Sequence, residues 1–252
     1  MTARVELENS FEGINDYLYN RGMTDGLPVV PPTEQRVAAM VEASGRRADD
    51  VIGEVAPLWA PATVEKIAIN AVMAGCEPAY MSAVIACVEA LVDPAFSAHS
   101  VQTTTNPVGP MVVFNGPIRG QLGINCGSGC FGPGAKANST IGRALRLSMV
   151  NLGAATPGEV DKAPLGWPGK LTSCCIGENE EESPWEPWHV ERGFRAEDST
   201  VTLIPANGMW PITETSPDKE VVLHHVTHGM ITTGPSAGQE MPDPWERVLV
   251  MS

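Results

Sequence analysis

Residues 79–92 are apolar nearly all round a helix. A helix with no polar face has to be buried on both sides, so the chain needs other layers to enclose it. Apolar spacing predicts those layers. Helices are expected over 11–19, over 34–43 with Thr33 as N-cap, and after Thr63, with Val64, Ile67, Ala68, Ala71 and Val72 on one face. A further helix over 137–152 places Ile141, Leu145, Met149 and Leu152 on one stripe, and another is expected over 220–230. Pro110-Met-Val-Val-Phe114 is a continuous apolar run ended by Asn-Gly-Pro, the pattern of a buried central strand followed by a turn. Shorter strands are expected at 51–56, 171–176, 200–204 and 247–251. Helices alternating with short apolar strands give an α/β or α+β fold. The expected organisation is a helical N-terminal extension (1–45) and a single mixed-sheet domain (46–252) that carries a cysteine- and glycine-rich loop. There is no repeat of fixed period and no linker composition.

The chain has 252 residues and a formal net charge of −14. That balance argues against a nucleic-acid partner, since nothing could replace phosphate counterions along a groove. The longest apolar runs, such as 81–88, fall far short of a bilayer span, so no membrane partner is expected. The N-terminus shows no apolar signal region, which predicts a cytoplasmic, reducing environment for the six cysteines. Cys76 and Cys87 sit in or beside apolar helices and read as small core residues.

Chemistry concentrates in Asn125-Cys-Gly-Ser-Gly-Cys-Phe-Gly-Pro-Gly134. Glycine lets this backbone come close to a ligand. The run leads into a helix N-terminus, where free N–H groups suit an anion. Cys126 and Cys130 are candidates for a nucleophile or redox pair, because helix N-terminal amides favour a thiolate. Their spacing is Cys-x3-Cys rather than the Cys-x2-Cys of thioredoxin-like motifs. They are equally candidate metal ligands: with Cys174, or its neighbour Cys175, they could supply three sulfurs to a 4Fe-4S cluster with one iron open to substrate. In a strand, Cys174 and Cys175 would point to opposite faces, one to the site and one to the core. Asn125, Ser128 and Asn138 are candidate substrate contacts around the same loop.

A second segment, Gly177-Glu-Asn-Glu-Glu-Glu-Ser-Pro-Trp-Glu-Pro-Trp-His189, combines carboxylates with Trp185 and Trp188. Tryptophans are costly to leave in water and would fold the segment over something. A carboxylate under such a cover could act as general acid or base, which makes Glu178, Glu181 and His189 the candidate proton-transfer groups; the rest reads as a solvated acidic loop. His224 and His228, one helical turn apart, are secondary metal candidates, or simply a surface or intersubunit face. His99 and Thr104, in a polar run ending at Pro107, and Arg143, with Arg146 on the same helix, are candidate contacts for substrate oxygens. Two familiar motifs fail. Gly129-x4-Gly134-Ala-Lys136 places its lysine one residue late for a phosphate loop. No Gly-x-Gly-x-x-Gly follows a strand, so no nucleotide cofactor is expected.

Several phrases, in order, resemble an uncharacterised bacterial family: Asp25-Gly-Leu-Pro-Val-Val-Pro-Pro-Thr-Glu34, residues 62–76, Phe131-Gly-Pro-Gly134 with Ile141-Gly-Arg-Ala-Leu-Arg146, and Ser183-Pro-Trp-Glu-Pro187 with His189-Val-Glu-Arg-Gly193. The resemblance covers most of residues 20–205. It is associated with proteins carrying a U/C-Gly-Ser-Cys motif, selenoproteins or their cysteine forms, and so implies reductive or thiol chemistry. The resembling loop reads Asn-Ala-Gly-His-Gly-Ala-Phe-Gly-Pro-Gly, so Cys126 and Cys130 are departures from it. Longer sequences of this kind continue past a strand like 247–251, which predicts a separately encoded second subunit and an oligomer. The expected function is a small-molecule enzyme, a thiol- or metal-dependent oxidoreductase or lyase acting on a carboxylate- or carbonyl-bearing metabolite. The alternatives are a 4Fe-4S hydro-lyase and a non-catalytic subunit of a heteromeric complex.

Overall fold

Local capping chemistry starts the first elements. Ser10 accepts from the Gly13 amide at the head of α1 (Phe11–Asn20), and Thr33 accepts from the Arg36 amide at the head of α2 (Glu34–Ser44). β1 (Val51–Val55) and β2 (Ala60–Thr63) form an antiparallel pair. Thr63 then caps α3 (Val64–Ala74) through the Lys66 amide, and Gly75 closes that helix in the left-handed conformation. A 3₁₀ turn at Pro78–Tyr80 feeds α4 (Met81–Val92), and α5 (Ala98–Thr103) follows. The computed structural model describes residues 4–7, 10–232 and 248–251.

β3 (Gly109–Asn115) is the expected central strand, and all its residues are buried. After it come α6 (Ile118–Leu122), α7 (Lys136–Gly153), α8 (Gly169–Thr172), β4 (Ile176–Gly177), α9 (Trp188–Glu191), β5 (Thr200–Ala206) and α10 (Lys219–Thr232). The larger sheet has the order β4-β3-β5, parallel on one side and antiparallel on the other. Helices make up 43% of the described residues and strands 12%, so a small mixed sheet sits within a mostly helical α/β or α+β body.

Register separates the two faces of that sheet. Val112 pairs with Leu203 and Phe114 with Val201, and all four join the main core with α4 and α7. Met111 pairs with Ile204 and Val113 with Ile176, and these form a separate small cluster on the other face. α7 is the hub of the main core. Its predicted stripe of Ile141, Leu145, Met149 and Leu152 is buried, each such side chain contributing about 2 kcal/mol by leaving water. Leu18, Val29, Val37 and Met40 from the first 45 residues belong to this same core.

Two expected strands differ. Residues 171–176 begin as the last turn of α8, pass through Ser173 and Cys174 at φ of 52° and 38°, and become a strand only at Ile176. The reason is tertiary. Gly142 of α7 lies so close beneath this turn that a methyl there would collide with the Thr172 carbonyl. Residues 248–251 are not in a strand, and Arg247 lies outside the described residues. Among the described residues no single helix is long and apolar enough to cross a membrane.

Candidate functional site

The glycine-rich loop is held by amides of its own chain. Asn138, buried at the start of α7, accepts from the Asn125 amide at 2.8 Å and donates to the Asn125 carbonyl at 2.9 Å and the Cys130 carbonyl at 3.3 Å. Asn125 in turn accepts from the Gly127 amide and donates to the Ser128 carbonyl. Both asparagines, expected as substrate contacts, are thus engaged in shaping the loop. Ser128 is exposed and contributes its carbonyl to the same turn.

Beside this loop lies a cavity of about 350 Å³. Cys130 and Gly132 line one side, Asn138 and Ser139 of α7 another, and Trp167, Thr172 and Cys174 the third. No side chain caps the N-terminus of α7, where Ala135 occupies the cap position. The Trp167 indole N–H is buried with no hydrogen-bond partner. Cys130 packs onto the cluster of Met111, Val113, Cys174 and Ile176. Burial raises the Cys130 thiol above its ordinary range and pushes Cys174 up to about 11. Cys175 also borders the cavity, yet it belongs to the main core beside Gly142, and burial raises it further still.

A polar cluster sits at the ends of β3 and β4, the edge where ligands of open α/β sheets bind. Arg119, only 7% exposed, donates to both Glu181 oxygens at 2.9 and 3.0 Å and to the Glu178 carbonyl at 2.7 Å, and it pairs with Glu180 at 2.7 Å. Glu180 also accepts from the Asn115 side chain and the Gly116 amide. Glu178 accepts from the Asn115 side chain and from the Trp188 amide. The Cys126 sulfur is 3.9 Å from Arg119, and Gly177 leaves it that space, since a Cβ there would touch both residues. His189 is buried with neither ring nitrogen hydrogen-bonded, and its Nδ1 lies 3.9 Å from Glu180. Asn115 Oδ1 is likewise buried and unpaired. Hydrogen bonding by Arg119 lowers the Glu181 carboxyl below its usual range.

The structure thus brings Cys126, Glu178, Glu181 and His189 together around Arg119, and Cys130 and Cys174 around the neighbouring cavity. Other expected residues are engaged elsewhere. Arg143 donates to both oxygens of Asp25 at 2.7 and 2.9 Å and to the Leu27 and Pro28 carbonyls, so it pins the 25–28 loop and is not free for a substrate carboxylate. Arg146 is buried and donates to the Ala155 carbonyl. His99 is exposed and stacks on Trp59. Thr104 accepts from the amide of Asn106 in its own turn; neither His99 nor Thr104 lines the cavity. Trp188 covers the outer cluster, but Trp185 is 63% exposed and covers nothing.

The proposed metal ligands do not converge. Among the described residues no three His, Cys, Asp or Glu side chains could hold one metal ion. Cys126 turns to Arg119 and Cys175 to the core, so the three-sulfur set for a 4Fe-4S cluster does not fit. His224 and His228 stack 6.3 Å apart on exposed α10 and belong to no group of three candidate ligands among the described residues. Arg119, Asn115 and Glu180 were missed in the sequence; the available signal was position, immediately after the central strand and inside the acidic segment. No family model, curated protein or solved structure matches the chain.

Proposed function

We propose that this chain is an enzyme for a small carboxylate- or carbonyl-bearing metabolite, with thiol chemistry at the glycine-rich loop. The observation that carries the reading is convergence: residues 130–132, 138–139 and 167–175, distant in sequence, surround one cavity bordered by three free cysteines, Cys130, Cys174 and Cys175. The uncapped first turn of α7 suits a carboxylate or a developing oxyanion. The indole N–H of Trp167 is a donor for a carbonyl oxygen. At the adjacent strand ends, His189 and Glu178 are the groups for proton transfer, and Arg119 acts through them by holding the acidic segment in place. Cys126 and Cys130 bracket the loop as candidate nucleophiles.

The test is turnover of a mixture of small carboxylates and carbonyl compounds, read by mass spectrometry with the wild type and with Cys130→Ser. Depletion of one compound class by the wild type alone is the expected result. Equal depletion by a Cys126→Ser/Cys130→Ser double variant would remove the thiols from the mechanism, and no depletion by either would remove the enzyme reading.

A second reading, a subunit that works with a separately encoded partner, draws on apolar side chains near the cavity. Met209 lines it yet is 50% exposed, and Trp210 and Leu165 are 72% and 98% exposed. Turnover that appears only with a second purified chain would favour this reading.

A further inference from the structure

Spacing pairs Cys126 with Cys130, and the fold offers Cys130 a second cysteine, Cys174. Cys126 faces Arg119 and Gly177. Cys175 lies in the main core. Cys130 instead packs on the cluster that contains Cys174, and the two residues line the same cavity. All six cysteines are free thiols. We propose that Cys130 and Cys174 are a reversible dithiol–disulfide pair that closes this cavity, with a small-molecule disulfide as the oxidant. The proposal rests on the reading above only in taking the cavity as the site.

Backbone conformation on the two sides supports an approach of one cysteine toward the other. Cys174 has a positive φ of 38°, next to Ser173 at 52°, a region non-glycine residues occupy only under constraint and often at functional sites. The constraint is visible. The Ser173 carbonyl accepts from the Val112 amide of β3, while the backbone at Thr172 is pressed against Gly142 of α7. Cys174 is therefore a fixed post. Cys130 sits on the opposite side, in a loop where Gly129 and Gly134 adopt positive φ and a Cβ on either would meet no atom within 4 Å. That space leaves room for the loop to close, and closure has to lengthen the 3.3 Å hydrogen bond from Asn138 to the Cys130 carbonyl.

The chemistry is ordinary thiol–disulfide exchange. The half-buried Cys130 thiol gives up its proton and its sulfur attacks one sulfur of the small disulfide. The disulfide S–S bond breaks, and the departing thiolate takes up that proton. Cys174 then loses its proton, and its sulfur attacks Cys130 in the mixed disulfide. This releases the second small thiolate, which takes up the second proton. Two protein thiols are oxidised by two electrons, and one small disulfide is reduced to two thiols.

The experiment treats native protein with oxidised glutathione, blocks remaining thiols with iodoacetamide and maps peptides by mass spectrometry without reduction. The expected product is a cross-link between Cys130 and Cys174, with those two thiols lost together and regained on adding dithiothreitol. Cys130→Ser should leave Cys174 free. Cys174→Ser should stop at a glutathione adduct on Cys130, and Cys174→Ala repeats the arm should the serine variant melt early. A Cys126–Cys130 or Cys174–Cys175 bond, adducts with no internal bond, or six unchanged thiols would each overturn the proposal. The wild-type cross-link is read with no metabolite present, so its failure is distinguishable from failure of the turnover test.

Discussion

The two faces of the central sheet are built from alternate residues of the same strands and are finished in opposite ways. On the inner face, Val112 and Phe114 are 0% and 2% exposed under α4 and α7. On the outer face, Met111 and Val113 meet a small cluster roofed by Trp167, Trp188 and Cys130, with a cavity beside it. A closed face spends its residues on packing density. The open face keeps reactive and hydrogen-bonding groups within reach of a ligand. Stability and chemistry are thereby assigned to opposite sides of one strand.

Substitutions can break this comparison. Phe114→Ala should cost about 4 kcal/mol, and Met111→Ala, on the face that borders a cavity, only about 2 kcal/mol; equal losses in denaturant melts would mean that both faces are sealed alike. Gly142→Ala comes next. Its methyl would meet the Thr172 carbonyl and crowd the Cys175 Cβ at 2.9 Å, so a loss of about 3 kcal/mol is expected, together with faster alkylation of Cys174 as the turn is displaced.

Smaller again is the tie between α7 and the N-terminal loop. Burial alone would raise the Asp25 carboxyl, but Arg143 outweighs it and holds that carboxyl below its usual range. A carboxyl lowered by folding stabilises above its unfolded pKa and loses that contribution as pH falls through its folded value. Wild-type stability should therefore decline below about pH 4. Asp25→Asn should cost about 2 kcal/mol at neutral pH and flatten that acid limb; a variant with an unchanged limb would contradict the assignment. Trp185→Ala is the smallest effect, within about 0.5 kcal/mol, because its ring is 63% exposed. A large loss in thermal melts would show that the acidic segment is anchored through Trp185 after all.

The inner face was legible in the sequence and the outer face only in part. The Thr33 and Thr63 caps, the α7 stripe and the apolar run of β3 are local patterns, and local patterns survive folding. The strand expected at 171–176 failed because β-favouring residues there yield to the close approach of Gly142, some thirty residues earlier in sequence. Arg143, Asn125 and Asn138 carry groups that suit a substrate equally well, yet each is consumed by a partner within the chain. Spacing holds no information on which partner a side chain meets. For the same reason it grouped Cys126, Cys130 and Cys174 as one set, where the fold sets Cys130 and Cys174 on the cavity and turns Cys126 to Arg119, and it passed over Arg119, whose three carboxylate-bearing neighbours assemble only when β4 lies alongside β3.

The most direct test is a residue-resolved alkylation time course on the native protein, with and without the compound identified by the turnover screen. An open outer face predicts that Cys126 and Cys130 react first, that the bound compound slows Cys130 and Cys174, and that Cys87 and Cys175 react only on unfolding. Labelling of Cys87 or Cys175 as fast as Cys130, or a Cys130 rate indifferent to the compound, would contradict the account.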